Sequence, residues 1–254
     1  MSDTVTTPKL AWSGVSKRFG DNVVLDGVDL DVAPGRSLVI IGGSGQGKSV
    51  TIKLAMGLLQ PDAGRILLDG ADVTGQPTAK LAARFGTLFQ GAALFDSLSV
   101  WENVAFRLIN ADRVPRPQAR ERALAALASV NLPAAVADQR PGALSGGMQK
   151  RVGLARAVVA SPEILFFDEP TTGLDPITAD VINDLIVAQV RRLGCTAVSI
   201  THDMASARKI ADEIAMLHAG RIVWRGHAAD IDRSGNPYVD QFIHGRADGP
   251  VTAG

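Results

Sequence analysis

Gly42-Gly43-Ser44-Gly45-Gln46-Gly47-Lys48-Ser49 is a full match to the phosphate-binding pattern G-x-x-x-x-G-K-[ST]. Glycines at these places let the backbone curl with its N–H groups turned inward around phosphate oxygens, where a Cβ would obstruct. Lys48 is then placed to reach the β- and γ-phosphates of a nucleotide and Ser49 to set its hydroxyl on Mg²⁺. Val50 follows in a helix that offers its positive N-terminal end to the anion. By chance such a loop would arise in about one chain in a hundred of this length. Its setting argues against chance. Ser37-Leu38-Val39-Ile40-Ile41 reads as a short buried strand running into the loop, and Val50 to Leu59 as the helix leaving it.

With 254 residues, 46% hydrophobic and 20% charged, the chain can bury a core and form one large domain or a domain with an inserted lobe. A formal net charge of zero gives no electrostatic footprint for nucleic acid. Cys195 is the only cysteine, which excludes an internal disulfide framework and suits a reducing cytosol. Placed just before the apolar run Thr196–Ile200, it reads as a small core residue rather than a nucleophile. No apolar run approaches the roughly 20 residues that span a bilayer. Met1-Ser2-Asp3-Thr4 lacks the charged-then-apolar order of a signal. The chain is therefore expected to be soluble by itself, with any membrane role coming through a partner.

Leu10 to Val15 and Val28 to Val32 read as strands, so an antiparallel β patch precedes the phosphate loop. Phe19, in Lys17-Arg18-Phe19-Gly20, is an aromatic able to stack on a purine base, or a half-buried residue of that patch. Arg65 to Leu68 and a segment ending in Leu88-Phe89-Gln90 are further strands. From Gly91 to about Ala160 the pattern turns helical, with Leu124, Leu127 and Val130 on one face of a helix from Glu121 to Val130, behind Pro115 and Pro117. This is expected to be a helical subdomain inserted in the nucleotide-binding core. Ile164-Leu165-Phe166-Phe167 returns to the core as a buried strand. Asp175-Pro176 opens the next helix and Gly194 closes it. Strands at Thr196–Thr201 and Glu213–Leu217 follow, and a hairpin leads through His218-Ala219-Gly220 to Arg221–Arg225. Strands alternating with helices predict an α/β fold with a mostly parallel sheet.

Four groups fall at strand ends, the rim where such sheets bind ligands. Asp168 and Glu169 end one strand: Asp168 fits a Mg²⁺ partner and Glu169 the base or orienter of an attacking water. Gln90 ends another, where it can touch Mg²⁺ or the water. His202, in Ile200-Thr201-His202-Asp203, ends a third, within reach of a γ-phosphate. Leu144-Ser145-Gly146-Gly147-Met148-Gln149 is the most specific signal after the phosphate loop. Ser145 caps the helix that follows, and the bare N–H groups of Gly146 and Gly147 make a second anion site. One nucleotide does not need two such sites in one chain, which suggests a nucleotide shared between two chains.

From about Leu10 to Gly226 the chain resembles the ATP-binding subunit of an ABC transporter, a P-loop NTPase. Gly42–Ser49 is similar to that family's Walker A, Gln90 to its Q-loop and Leu144–Gln149 to its signature. Ile164–Glu169 is similar to its Walker B, Gly173-Leu174-Asp175 to its D-loop, His202 to its switch histidine and Phe19 to its adenine-stacking aromatic. The resemblance implies ATP and Mg²⁺, with Lys48, Gln90, Glu169 and His202 acting in hydrolysis and Ser49, Gln90 and Asp168 on the metal. It also implies that Ser145, Gly146, Gly147 and Met148 act in trans, and that Asp175 belongs to the D-loop. Met148 stands where many members carry glutamine; the glycines and Ser145 are kept, so activity is expected to survive.

The segment Gly91–Val104, the Gly-Gly-Met signature, Gly173–Thr178 and the tail from Tyr238 to Pro250 are together similar to the lipid-trafficking branch. That branch comprises the maintenance-of-lipid-asymmetry (Mla) and Mce-associated systems of bacterial envelopes. It implies a homodimer beneath two permease subunits, on the cytoplasmic face of the inner membrane, moving phospholipid or another hydrophobic lipid. It further implies a periplasmic Mce-type lipid-binding partner and a small STAS-type subunit. An ATPase domain over residues 1–233 and a tail over 234–254 are expected, the tail being disordered by composition or a dimer contact through Tyr238 and Phe242. Leu94 and Phe95 suit either a surface for a permease helix or the core of the helical subdomain. A soluble ABC-type ATPase serving an assembly scaffold, and an importer ATPase for another small solute, share these motifs; co-purifying permease subunits separate the scaffold case.

Overall fold

The computed structural model of the chain describes residues 7–251; the N-terminal stretch Met1–Thr4 and the last three residues of the expected tail lie outside them. It divides into two compact units. The first takes the chain up to Ala82 and again from Thr196 onward, and the second is Ala83–Cys195.

In the first unit, β1 (Leu10–Phe19) and β2 (Asn22–Val32) form an antiparallel hairpin whose last pair is Phe19 with Asn22. Both strands outrun their sequence readings. Register shifts between Trp12 and Val15, Val15 and Lys17, and Lys17 and Arg18 break the two-residue alternation by which the eye follows a strand. β3 (Ser37–Ile41) is buried along almost its whole length. It leads through the glycine loop to α1 (Lys48–Ala55), which stops four residues short of the expected end. Gly57, with φ 70, supplies a left-handed turn at that point. β4 (Ala63–Leu68) pairs antiparallel with β1, setting Leu68 beside Leu10 and Ile66 beside Trp12, and β5 (Ala71–Asp72) edges this sheet. Trp12 is buried, and its indole N–H donates to Thr51 O at 3.0 Å, which fastens α1 to the antiparallel sheet. A short α2 (Thr78–Ala82) closes this part.

The second unit opens with β6 (Phe85–Leu88). Then comes α3 (Val100–Asn110), entered by a capping box in which the Ser99 hydroxyl accepts from Glu102 N while Glu102 accepts from Ser99 N. Those bonds and the Arg116 guanidinium bring the Glu102 carboxyl down to about 2. A carboxyl depressed on folding stabilises fully above its unfolded value of 4.5, and that contribution fades as pH falls toward 2. Glu102→Gln is thus expected to destabilise by about 1 kcal/mol at pH 6, reduced from the full linkage value by solvent screening. Thermal melts of the two proteins should converge as the pH is lowered from 5 toward 2, within the linkage window of the depressed carboxyl.

α4 (Arg116–Ser129) begins earlier than its apolar face suggests. Pro117 lies inside its first turn, where the missing N–H has no intrahelical partner to lose. α5 (Gly146–Val158) follows, then β7 (Ile164–Asp168) runs parallel to β6, with Phe85 beside Ile164 and an edge-on ring contact from Phe85 to Phe166 at 5.2 Å. α6 (Pro176–Leu193) starts at Asp175 and ends at a left-handed Gly194, as its sequence predicts. Cys195 is buried and its thiol is pushed up by desolvation, in keeping with a core residue.

The chain then re-enters the first unit. β8 (Thr196–Ile200) pairs parallel with β3, α7 (Met204–Ile210) is capped by Asp203, and β9 (Glu213–His218) pairs parallel with the other edge of β3. β10 (Arg221–His227) is antiparallel to β9. Parallel strands buried on both faces read as continuous apolar runs, which is how β3, β7 and β8 announce themselves. The tail contains α8 (Pro237–His244), capped by Asn236. Buried Gln241 holds the residues after it, donating to Val251 O at 2.8 Å and accepting from Val251 N at 2.7 Å. Side-chain hydrogen bonds here supply the order that the tail's few apolar residues do not announce.

Candidate functional site

The first unit carries the phosphate loop between β3 and α1. Gly42 has φ 149, and a Cβ there would lie 2.3 Å from Leu217 O, so only glycine fits. Lys48 is buried, and its ammonium folds back along the loop to donate to Gly42 O and Gly43 O, each at 2.8 Å. Ser49 and Val50 occupy the first turn of α1, half-buried. Gly43 is half-buried, Ser44 and Gly45 are exposed and Gly47 is buried, so the loop's apex faces outward. Gln46 accepts from Ala219 N at 2.6 Å, which ties that apex to the turn between β9 and β10. Within this unit His202 lies exposed two residues beyond β8, which is hydrogen-bonded to β3. Phe19 is 46% exposed at the end of β1, with the Lys17 ammonium 5.4 Å from its ring centroid.

The second unit carries the other groups. Asp168 is the last residue of β7, and Glu169 follows with φ 51, a backbone conformation rare for a side chain of that size. Thr172 Oγ1 donates to the Glu169 carboxylate at 2.8 Å. Gln90 lies two residues beyond β6, the strand paired to β7. Ser145 caps α5 by accepting from Met148 N at 3.3 Å, and Ser145 and Gly146 are exposed while Gly147 and Met148 are half-buried. Asp175 accepts from Thr178 Oγ1 at 2.6 Å and from Thr178 N and Ile177 N, and these bonds hold its carboxyl below the usual range. Beside it Ile177 is 80% exposed. Gln90, Asp168 and Glu169 thus stand at the ends of neighbouring strands, and Ser145 and Asp175 at the mouths of two helices.

Sequence reasoning passed over three residues here. Lys150 donates to Gln90 O and Glu169 O, Arg156 to Ala92 O and Ala93 O, and Thr172 to the Glu169 carboxylate. Thr172 was within reach of inspection, three residues from Glu169. The acceptors of Lys150 and Arg156 lie 19 to 64 residues away along the chain, with nothing local to mark them.

A glycine loop that folds a buried lysine back on itself between a buried parallel strand and a helix defines a P-loop nucleotide-binding protein. Residues 25–172 match the family model described as ABC transporter. Over 93% of its length the chain is 39% identical to the protein TRIGALACTOSYLDIACYLGLYCEROL 3, chloroplastic, of Arabidopsis thaliana, covering 74% of that protein. It is 38% identical over 93% of its length to the intermembrane phospholipid transport system ATP-binding protein MlaF of Escherichia coli K12, covering 89% of it. It is also 37% identical over 94% of its length to a probable ribonucleotide transport ATP-binding protein, mkl, of Mycobacterium leprae, covering 69% of it. A dimeric ATP-binding cassette, solved in a post-hydrolysis state with ADP and Pi, superposes with a TM-score of 0.78 at 30% identity over 86% of this chain and 98% of its own.

The chain belongs to the ABC transporter family, as an ATP-binding cassette that hydrolyses ATP. Such cassettes form dimers and work with permease subunits. Among the described residues no helix is long and apolar enough to cross a membrane.

Proposed function

We propose that two copies of this chain close head to tail over two ATP molecules and drive a permease that moves phospholipid or another hydrophobic lipid across a bacterial envelope. The observation that carries the cargo is the 38% identity extending over 89% of a protein named as the ATP-binding protein of an intermembrane phospholipid transport system. The Arabidopsis relative, also matched over most of its length, is named for a glycolipid.

The roles follow from the chemistry of each group. The loop Gly42–Ser49, with Val50, receives the phosphates; Lys48 moves from its carbonyl partners to the β- and γ-oxygens, and Phe19 offers its exposed face to the base. Ser49, Asp168 and Gln90 supply the hard oxygen donors that Mg²⁺ prefers, a donor set that fits an ion bound mainly through phosphates. Held by Ser49, Asp168 and Gln90, such an ion would supply positive charge against the charge that develops on the phosphate. Glu169, held by Thr172, orients or deprotonates the attacking water, and His202 contacts the γ-phosphoryl group. Ser145, Gly146, Gly147 and Met148 present an exposed helix N-terminus to the nucleotide of the other copy, and Asp175 with exposed Ile177 faces that copy beside them. Closure excludes water and completes each site; hydrolysis removes the anion that the second copy grips, and the pair opens.

A groove in the second unit, lined by Phe85, Phe89, Ala93, Phe95 and Phe106, suits a permease helix. Phe95 and Phe106 are exposed and stack at 4.5 Å. Its lining residues Phe89 and Ala93 flank Gln90 along the chain, so motion of the helix is felt at the hydrolytic site. Tyr238 lies on the chain's own His218 at 4.8 Å, and half-buried Phe242 and Ile243 are the tail's apolar offering to a second copy. An Mce-type lipid-binding protein in the periplasm and a STAS-type subunit complete the proposed assembly, held at the cytoplasmic face of the inner membrane. The mycobacterial relative's name favours a ribonucleotide as the second reading of the cargo.

Affinity capture of the tagged protein from detergent-solubilised native membranes, with mass spectrometry of what comes with it, tests this. A multi-span permease, an anchored lipid-binding protein and enriched phospholipid are expected. Capture of a permease with nucleotide and without lipid would favour the second reading, and capture of soluble scaffold proteins alone would overturn both.

A further inference from the structure

We propose that Lys150 is a positioning residue for ATP hydrolysis, tying the helix that starts at Ser145 to both Gln90 and Glu169. Its ammonium donates to Gln90 O and, at 3.4 Å, to Glu169 O, from a side chain only 6% exposed. A buried ammonium is costly unless hydrogen bonds and opposite charge offset the lost water. Two peptide carbonyls and the nearby Asp168 and Glu169 carboxylates do so here: desolvation pushes the amine's pKa down, and Asp168 and then Glu169 push it up. A methionine would fill the same volume without that cost, so packing alone does not account for the charge.

What the ammonium holds is a strained stretch of backbone. Glu169 sits at φ 51, a conformation that persists when its surroundings fix it. Lys150 fixes its carbonyl and Thr172 its carboxylate. Six residues further along α5, Arg156 donates to Ala92 O and Ala93 O, whose residues have φ 57 and 46. Helix α5 thereby grips the segment after β6 at two places and the end of β7 at one. A displacement of its Ser145 end, which faces outward, reaches Gln90 and Glu169 through a buried cation rather than through a loop.

The inference rests on Glu169 acting on the attacking water, and its test separates the two. Steady-state ATP hydrolysis is measured for the full chain as wild type, Lys150→Met, Lys150→Gln, Glu169→Gln and the Lys150→Met/Glu169→Gln double variant, with folding checked by circular dichroism. Lys150→Met is expected to keep KM within about twofold and to lose about tenfold to a hundredfold in kcat, the scale of a misplaced catalytic group. The double variant should be slower than Glu169→Gln alone by much less than the product of the two single effects, because Lys150 acts on the water largely through Glu169. Lys150→Gln, which stays polar but is too short for both carbonyls, should show the same split and serves if the methionine variant does not fold. Wild-type kcat in folded Lys150 variants beside an impaired Glu169→Gln, a loss in KM instead of kcat, or an additive double variant would each overturn the role of Lys150 alone. Unimpaired turnover by Glu169→Gln would overturn the reading of Glu169 and the inference with it.

Discussion

Glu169→Gln is expected to bind ATP as the wild type does and to hydrolyse it at least about a hundredfold more slowly, the lower end of what a positioned base contributes. The substitution keeps the side chain's length and one oxygen, so the Thr172 hydroxyl retains an acceptor and the φ 51 backbone has no new strain to absorb. What goes is the charge that takes or directs the water's proton. Equilibrium binding of a fluorescent ATP analogue, set beside phosphate release, separates the two quantities. Equal affinity with a collapsed rate is the expected pair, whereas retained turnover would remove Glu169 from the chemistry.

Lys48→Met works on the other quantity. The ammonium is buried and already meets Gly42 O and Gly43 O at 2.8 Å, so its removal strips the loop of its internal brace as well as its cation. Hydrogen bonds involving a charged group contribute about 1.5–3 kcal/mol, so nucleotide affinity is expected to fall by roughly tenfold to a hundredfold. Isothermal titration with ATP should show this, and the melting temperature without nucleotide should fall somewhat as the brace to Gly42 O and Gly43 O is lost. An undiminished affinity would mean that Lys48 braces the loop and does not hold the phosphates.

Both effects concern residues that the sequence displays openly. The phosphate loop is local: a buried strand, glycines at fixed spacing and a helix start lie within about twenty residues, where steric logic needs no tertiary knowledge. Ser145, Asp175 and Gly194 were legible for the same reason, since a cap acts on N–H groups two or three residues away. The ends of elements were less so. Bulges in β1 hide its alternation, and α1 was read through Gly57 because Leu58 and Leu59 prolong its apolar pattern. Lys150 was the least visible. A lysine four residues into a helix reads as a solvated side chain, and only the fold brings it to a carbonyl 60 residues earlier in the chain. The tail misled through composition: few apolar residues signalled disorder, while one buried glutamine organises it through hydrogen bonds that composition does not register.

Closure of two chains over ATP is the step from which the trans roles proposed for Ser145, Gly146 and Gly147 and the proposed coupling to a permease all follow. Light scattering on Glu169→Gln, with and without ATP and Mg²⁺, tests it most directly, because slow turnover leaves time for the closed state to accumulate. A shift from monomer to twice the monomer mass with ATP, reversed by Ser145→Arg at the exposed helix mouth, is the expected result. A monomer at saturating ATP would contradict it.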